Sequence, residues 1–201
     1  MKARTTIATM ATILLTSAGL AVFSTPAQAD HDSCHHLVNG LIIVGGNGDD
    51  TIVGTPDNDF INGTGGNDTI DGGGGNDTIL GGAGNDTING GDGSDRIDGE
   101  DGDDVLSGNE CDDTVAGGNG TDNVAGNEDD DRLLGNAGDD VINGGFGNDD
   151  LFGGPGDNDV LRGNDGNDFM DGEAGNNDTG NGGPAAGGDF CTAATETQIN
   201  C

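Results

Sequence analysis

The sequence predicts an all-β solenoid, a flattened parallel roll in which two nine-residue units make one coil. Three observations carry that reading. Glycine opens every unit from Gly45 to Gly144, twelve times, with no insertion between Gly45 and Phe152. Aspartate fills the sixth position of all twelve units, and an aliphatic residue fills the eighth. Compositional drift supplies glycine and aspartate but does not hold them in phase. A period this short fits one turn and one short strand of a stacked coil rather than a globular repeat.

Read in order, residues 1–29 look like an export leader. Lys2 and Arg4 give a positive start, Ile7 to Phe23 an apolar run broken by Thr9, Thr12, Thr16 and Ser17, and Ala27-Gln28-Ala29 the small residues a signal peptidase takes. The expectation is a secreted, extracellular chain with no membrane insertion, because no second apolar run is long enough to cross a bilayer. Residues 30–44 form an N-terminal segment. Its apolar stretch Leu37–Val44 is expected to supply a first strand that caps the open end of the solenoid. Residues 45–181 are the repeat region, regular to 152 and irregular after it, and 182–201 are a cysteine-containing tail.

Within a unit such as Gly81 to Asn89, the first six positions are rich in Gly, Asn and Asp, which tolerate positive φ and build turns. The last three form a short extended piece whose middle side chain points inward. One turn and one strand cannot close a coil, so successive units fall on opposite sides of the roll. Ile52, Ile70, Ile88, Leu106, Val124 and Ile142 are then expected in one sheet, and Ile61, Ile79, Ile97, Val115, Leu133 and Leu151 in the other. The aspartates divide in the same way. Asp50, Asp68, Asp86, Asp104, Asp122 and Asp140 make one file, and Asp59, Asp77, Asp95, Asp113, Asp131 and Asp149 the other. Past Phe152 an extra residue enters the repeat; Asp159 takes the aspartate role with Leu161 or Val160 inward, and Asp168 precedes Met170. Gly172 to Asn181 has Asp178 but no inward aliphatic, so the end of the roll is expected to fray.

Charge decides the chemistry. The chain carries 38 acidic residues against five Lys and Arg, a net charge of −33. Without the leader only Arg96, Arg132 and Arg162 face those 38 acids, and the balance becomes −35. Nucleic acid is excluded as a partner, because its binding depends on basic residues. One aliphatic side chain per nine residues is a thin core for so much glycine and so much like charge, so the ion-free chain is expected to be disordered. Cations must come between the carboxylates as it folds. Carboxylate and carbonyl oxygens in flexible loops suit Ca²⁺; Mg²⁺ holds its water and wants a tighter octahedron, and softer metals want the His and Cys that the repeat largely lacks.

The pattern Gly-Gly-x-Gly-x-Asp-x-U-x, with U aliphatic, resembles the repeats-in-toxin (RTX), haemolysin-type calcium-binding nonapeptide. Gly72 to Leu80 matches it at every specified position, and the resemblance covers 45–152 cleanly and continues to about 181. It implies a right-handed parallel β-roll in which each Ca²⁺ sits between turns i and i+2. The ligands it implies are the sixth-position aspartates, with Asp159 and Asp168 added to the two files, and backbone carbonyls of the glycine-rich turn. Twelve stacked repeats would hold about ten ions, with affinity of about 10⁻⁴–10⁻³ M as in other extracellular modules and steep cooperativity. The chain departs from many members of the family in its N-terminal leader, since they leave the cell by a C-terminal signal.

The remaining residues argue against catalysis. Beyond the leader there is no Lys, Tyr or Trp, and the only serines are Ser33, Ser94 and Ser107. A serine triad would need one of the histidines of the N-terminal segment, His31, His35 or His36. Those histidines, with Cys34, match no zinc spacing. The cysteines Cys34, Cys111, Cys191 and Cys201 are even in number, as disulfides require, and Cys191–Cys201 is the pairing favoured, with Cys34 and Cys111 left open. The expected role is a calcium-stiffened structural or matrix protein at the cell exterior, with an unidentified surface partner. The alternatives are an ion buffer without a macromolecular partner, a hydrolase accessory module, and an ice-binding face. Against the last, the file of Thr51, Thr69 and Thr87 continues as Val105, Asn123 and Val141.

Overall fold

The computed structural model describes residues 40–174, 177–183, 189–192 and 198–200. The leader, the three histidines, Cys34 and Cys201 lie outside the described residues. Eighteen strands, numbered in chain order, form two parallel nine-stranded sheets. The first sheet holds β1 (Ile42–Val44), β3 (Phe60–Gly65), β5 (Thr78–Ala83), β7 (Arg96–Asp101), β9 (Thr114–Asn119), β11 (Arg132–Ala137), β13 (Asp150–Gly154), β15 (Phe169–Glu173) and β17 (Phe190–Thr192). The second holds β2 (Thr51–Val53), β4 (Thr69–Gly74), β6 (Thr87–Asp92), β8 (Val105–Glu110), β10 (Asn123–Glu128), β12 (Val141–Phe146), β14 (Val160–Asp165), β16 (Thr179–Asn181) and β18 (Gln198–Asn200). Consecutive strands alternate between sheets, so one coil is two repeats and the fold is a parallel β-roll. Among the described residues no helix is long and apolar enough to cross a membrane.

The register follows the period. Ile52 lies opposite Ile70 and Ile70 opposite Ile88 in the second sheet, as Ile61 lies opposite Ile79 in the first. The two aliphatic rows meet inside the roll. Every member from Ile43 to Met170 is at most 2 % exposed, and Leu41 and Cys191 pack partly against them. The extra residue after Phe152 is absorbed in the turn between β13 and β14, so Leu161, not Val160, keeps the inward column at 2 % exposure. β1 pairs with β3 and forms the edge of its sheet at the N-terminal end. Past Asn181, β17 and β18 extend the same two sheets.

The strands are longer than the three residues the alternation suggests. Most have six, because the ladder continues through positions one to three of the next unit. The second-position residue makes this possible by taking positive φ, as at Gly73 (φ 102°) and Gly82 (φ 114°). Only positions four to six are left as turn. Inside the roll, three columns are buried together: the aliphatic residue, the first glycine and the sixth-position aspartate.

Candidate metal centre

Each sixth-position aspartate follows the turn and re-enters extended backbone, which directs its carboxylate inward. All fourteen named from the sequence stand in the two expected files, one through Asp50, Asp68, Asp86, Asp104, Asp122, Asp140 and Asp159, the other through Asp59, Asp77, Asp95, Asp113, Asp131, Asp149 and Asp168. The members from Asp59 to Asp168 are at most 4 % exposed. Asp50, in the first coil, is only half-buried.

A hydrogen-bond ladder runs along each file. The N–H of each aspartate donates to Oδ1 of the next aspartate in its file, as from Asp59 to Asp77 (2.7 Å), Asp77 to Asp95 (2.8 Å) and Asp122 to Asp140 (2.8 Å). Carboxylates one coil apart therefore do not simply repel; a peptide N–H satisfies one oxygen of each. The peptide carbonyl of the same residue accepts from the following coil, as Asp59 does from the Thr78 N–H (2.9 Å). Each carboxylate is thus held by one oxygen, and its own peptide carbonyl by the next coil.

The second oxygen is different. From Asp68 to Asp178, thirteen aspartates hold a buried Oδ2 that no hydrogen-bond donor reaches. This oxygen lies against the first glycine of its own unit. A Cβ on Gly99 would fall 2.3 Å from Asp104 Oδ2 and 2.4 Å from the carbonyl oxygen of Gly117, so only glycine leaves the carboxylate room. Beside most of the first glycines this oxygen and the carbonyl oxygen of the glycine one coil on lie together.

Burial without a counter-ion shows in the acidities. Desolvation comes first among the causes, opposed by the backbone N–H and reinforced by neighbouring carboxylates. It pushes Asp77, Asp113 and Asp131 up to about 8 and Asp95 to about 7. In Asp86, Asp104, Asp122, Asp140, Asp149 and Asp159 the same causes raise the carboxyl to about 6. Asp68 and Asp168 are raised as well, again chiefly by desolvation. At neutral pH the groups near 8 thus favour the protonated form and those near 6 the charged one, and positive charge brought to the files would favour ionisation of all of them.

Among the described residues no three His, Cys, Asp or Glu side chains converge on one point. A cation here would take carboxylate oxygens together with backbone carbonyls, an all-oxygen set of the kind calcium accepts. Successive segments 44–79, 53–88, 71–106, 89–124, 125–158 and 156–179 each match the RTX calcium-binding nonapeptide repeat. The chain belongs to that family. RTX repeats bind Ca²⁺, and this chain is a calcium-binding repeat protein built as a parallel β-roll. No curated protein matches it.

Two further aspartates continue the files: Asp178, read from the sequence as the aspartate of its unit but not named among the ligands, and Asp189, which counting by nines loses. Asp178 accepts from the Asp159 N–H (3.0 Å), and Asp189 from that of Asp168 (3.2 Å). Extra residues ahead of Asp189 hide its column. The local signal was present all the same: Asp178-Thr179 and Asp189-Phe190 repeat the aspartate-then-strand step of the regular units. A second ladder was also missed. In the fifth position a polar side chain accepts from the N–H one coil later, as from Asn85 to Asn67 Oδ1 (2.8 Å) and Asn76 to Asn58 Oδ1 (2.9 Å). Cys111 and Cys191 are both disulfide-bonded; the favoured Cys191–Cys201 pairing falls on a residue outside the described set.

Proposed function

We propose that this is a secreted protein whose sixth-position aspartates take Ca²⁺ together with turn carbonyls, those from Asp68 to Asp168 through an open Oδ2, and which folds as it does so. It would act by binding, not catalysis, as a calcium-stiffened structural element of the cell exterior. The observation that carries the reading is the row of buried Oδ2 atoms without a donor. An unpaired buried carboxylate oxygen is costly in a finished fold, and one repeated along the whole length marks places that a cation completes. Within the twelve regular repeats ten aspartates, Asp68 to Asp149, are of this kind, and Asp159, Asp168 and Asp178 add three beyond them. These numbers support a load of ten or a few more ions.

Ca²⁺ supplies the positive charge that lets these carboxylates remain ionised inside the roll. The chain's own part is to place them: the first glycine clears the space, the preceding aspartate's N–H orients Oδ1, and the aliphatic rows hold successive coils in register. The deciding experiment is far-UV circular dichroism of the mature polypeptide during a calcium titration, with magnesium as control. A disordered spectrum in chelator, converting steeply to β structure with calcium and not with magnesium, is expected. A chain fully ordered in chelator and indifferent to added calcium would overturn the reading. Capture from intact cells separates a matrix role from a free ion buffer.

A further inference from the structure

The outward faces of the two sheets differ. In the second sheet the outward columns, positions seven and nine, hold Thr, Asn, Ser, Val, Ala and Gln with two charges and, among the described residues, no Ile, Leu or Phe; its exposed large apolar side chains are Val53 and Val105 in those columns and Phe146 beyond them. The first sheet places bulky apolar side chains in the same columns. Ile42 (69 % exposed), Val44 (45 %), Phe60 (38 %) and Phe190 (61 %) stand open to solvent there. At its C-terminal end Phe152, Phe169 and Phe190 form a ladder with ring centroids 5.7 Å apart, and Arg132 lies over Phe152 at 4.5 Å from the ring centroid. None of these residues serves the aspartate files.

From this arrangement we infer that the outward face of the first sheet is the interface of a homodimer, in which two calcium-loaded rolls pack face to face with their long axes antiparallel. The strand order reads β1-β3-β5-β7-β9-β11-β13-β15-β17, with β9 in the middle. A two-fold axis along β9 reverses that order and leaves the columns in place, so the patch meets itself. Apolar residues occupy both ends and polar ones the centre. Ile42 then lies opposite Phe190, Phe60 opposite Phe169 and Leu80 opposite Phe152, while the small Thr114 and Ala116 of β9 meet their own counterparts.

Charge permits this face. The chain carries −33, but the outward columns of the first sheet hold only Arg96 and Arg132 against Asp98, Asp150 and Asp171. Arg132 is already shared with Asp150 (3.8 Å), and Arg96, which this axis sets opposite Arg132 of the other copy, has Asp98 two residues along its own strand. Nine strands at ~4.8 Å give a patch roughly 40 Å long and about three residues (~10 Å) wide, on the order of 800 Å² over both partners and so in the range of weak, transient association. The dimer is therefore concentration-dependent, and it forms only where calcium has folded the roll.

The inference rests on the calcium-folded state of the preceding reading, so circular dichroism on the same samples separates failure to fold from failure to associate. The test is sedimentation velocity of the calcium-loaded chain from about 1 to about 100 µM. Phe60→Thr and Phe190→Thr place in this column the residue that Thr78 and Thr114 already put there, so the fold tolerates them. Each is expected to leave the spectrum unchanged and raise the dimer dissociation constant at least ~10-fold, whereas Val105→Thr on the other face leaves it within about twofold. A chain that folds with calcium yet stays monomeric throughout, as it would if another partner covered this face, overturns the inference. So does a dimer insensitive to both phenylalanine changes.

Discussion

In the first coil Asp50 and Asp59 close their Oδ2 atoms on local N–H groups, of Gly46 (2.5 Å) and of Thr55 (2.6 Å), and the Thr55 hydroxyl adds a third bond at 2.9 Å. From Asp68 to Asp178 the same atom has no donor. Gly45 to Asp50 matches the repeat as well as any later unit, so the motif alone does not explain the difference. Its cause is the neighbouring coil. Behind the first coil, positions one to three join the strand and the second residue turns to positive φ, 80° at Thr64 and 102° at Gly73, which takes its N–H away from the carboxylate. In the first coil β2 ends at Val53 and the N–H folds back instead. The open oxygen is thus made by stacking, and a terminal coil closes itself.

The fourth-position glycines give the largest test of this contrast. A Cβ on Gly138, at φ 146°, would sit 1.6 Å from the Gly120 carbonyl oxygen, while around Gly48 nothing lies within 4 Å. Gly138→Ala should destabilise the calcium-loaded chain by more than ~3 kcal/mol in urea unfolding, and Gly48→Ala should change it by less than ~1 kcal/mol. Equal losses would mean that the first coil is as tightly stacked as the rest.

Next in size are the aspartates themselves. Asp113→Ala leaves the Asp95 N–H without its acceptor (2.7 Å) and removes an open Oδ2. About 1–3 kcal/mol follows from the first loss alone, so the calcium midpoint of the dichroism titration should rise ~10-fold or more. Asp50→Ala, in the self-closed coil, should move that midpoint less than about twofold. A comparable shift from both would erase the distinction between end and interior.

Acidity separates them further. The interior carboxyls have folded-state values raised to about 6–8 from an ordinary 3.8. For a raised carboxyl the folded state holds protons that the unfolded chain has released. The metal-free roll therefore has this stability in full below about pH 4 and loses it as pH rises through 6 to 8. Calcium must displace those protons, so its midpoint concentration should fall as pH rises across that interval. A midpoint independent of pH from 6 to 8 would contradict the burial of these groups.

The smallest effect belongs to the outer ladder. Asn85→Ala removes an exposed acceptor 3.2 Å from the Asp103 N–H and should cost about 0.5 kcal/mol, read by the same unfolding measurement.

Much of this was legible before any coordinates. The phase of Ile52, Ile61 and Ile70 gives two sheets, an eighteen-residue register and a thin core, because strand alternation and closure leave no other arrangement. The aspartate files follow from the same count. What the residues did not disclose depends on contacts between coils. That Gly73 continues a strand instead of ending one requires the adjacent ladder. That Asp77 points beneath the turn, with one oxygen held and the other open, requires the N–H of Asp59 eighteen residues away. Asp189 was hidden for a simpler reason: the turn before it is longer, so counting by nines loses it although its backbone returns to the same place.

Because strand partners are eighteen residues apart throughout Gly45 to Phe152, the molecule is graduated like a ruler. Loss of 81–98 would shorten it by one mark and return every later side chain to its own face. Loss of 81–89 alone would carry everything downstream to the opposite sheet, putting Arg132, Phe152 and Phe169 where threonine and asparagine now stand and bringing Phe146 and Arg162 to the first sheet. Length in such a chain changes freely only by pairs.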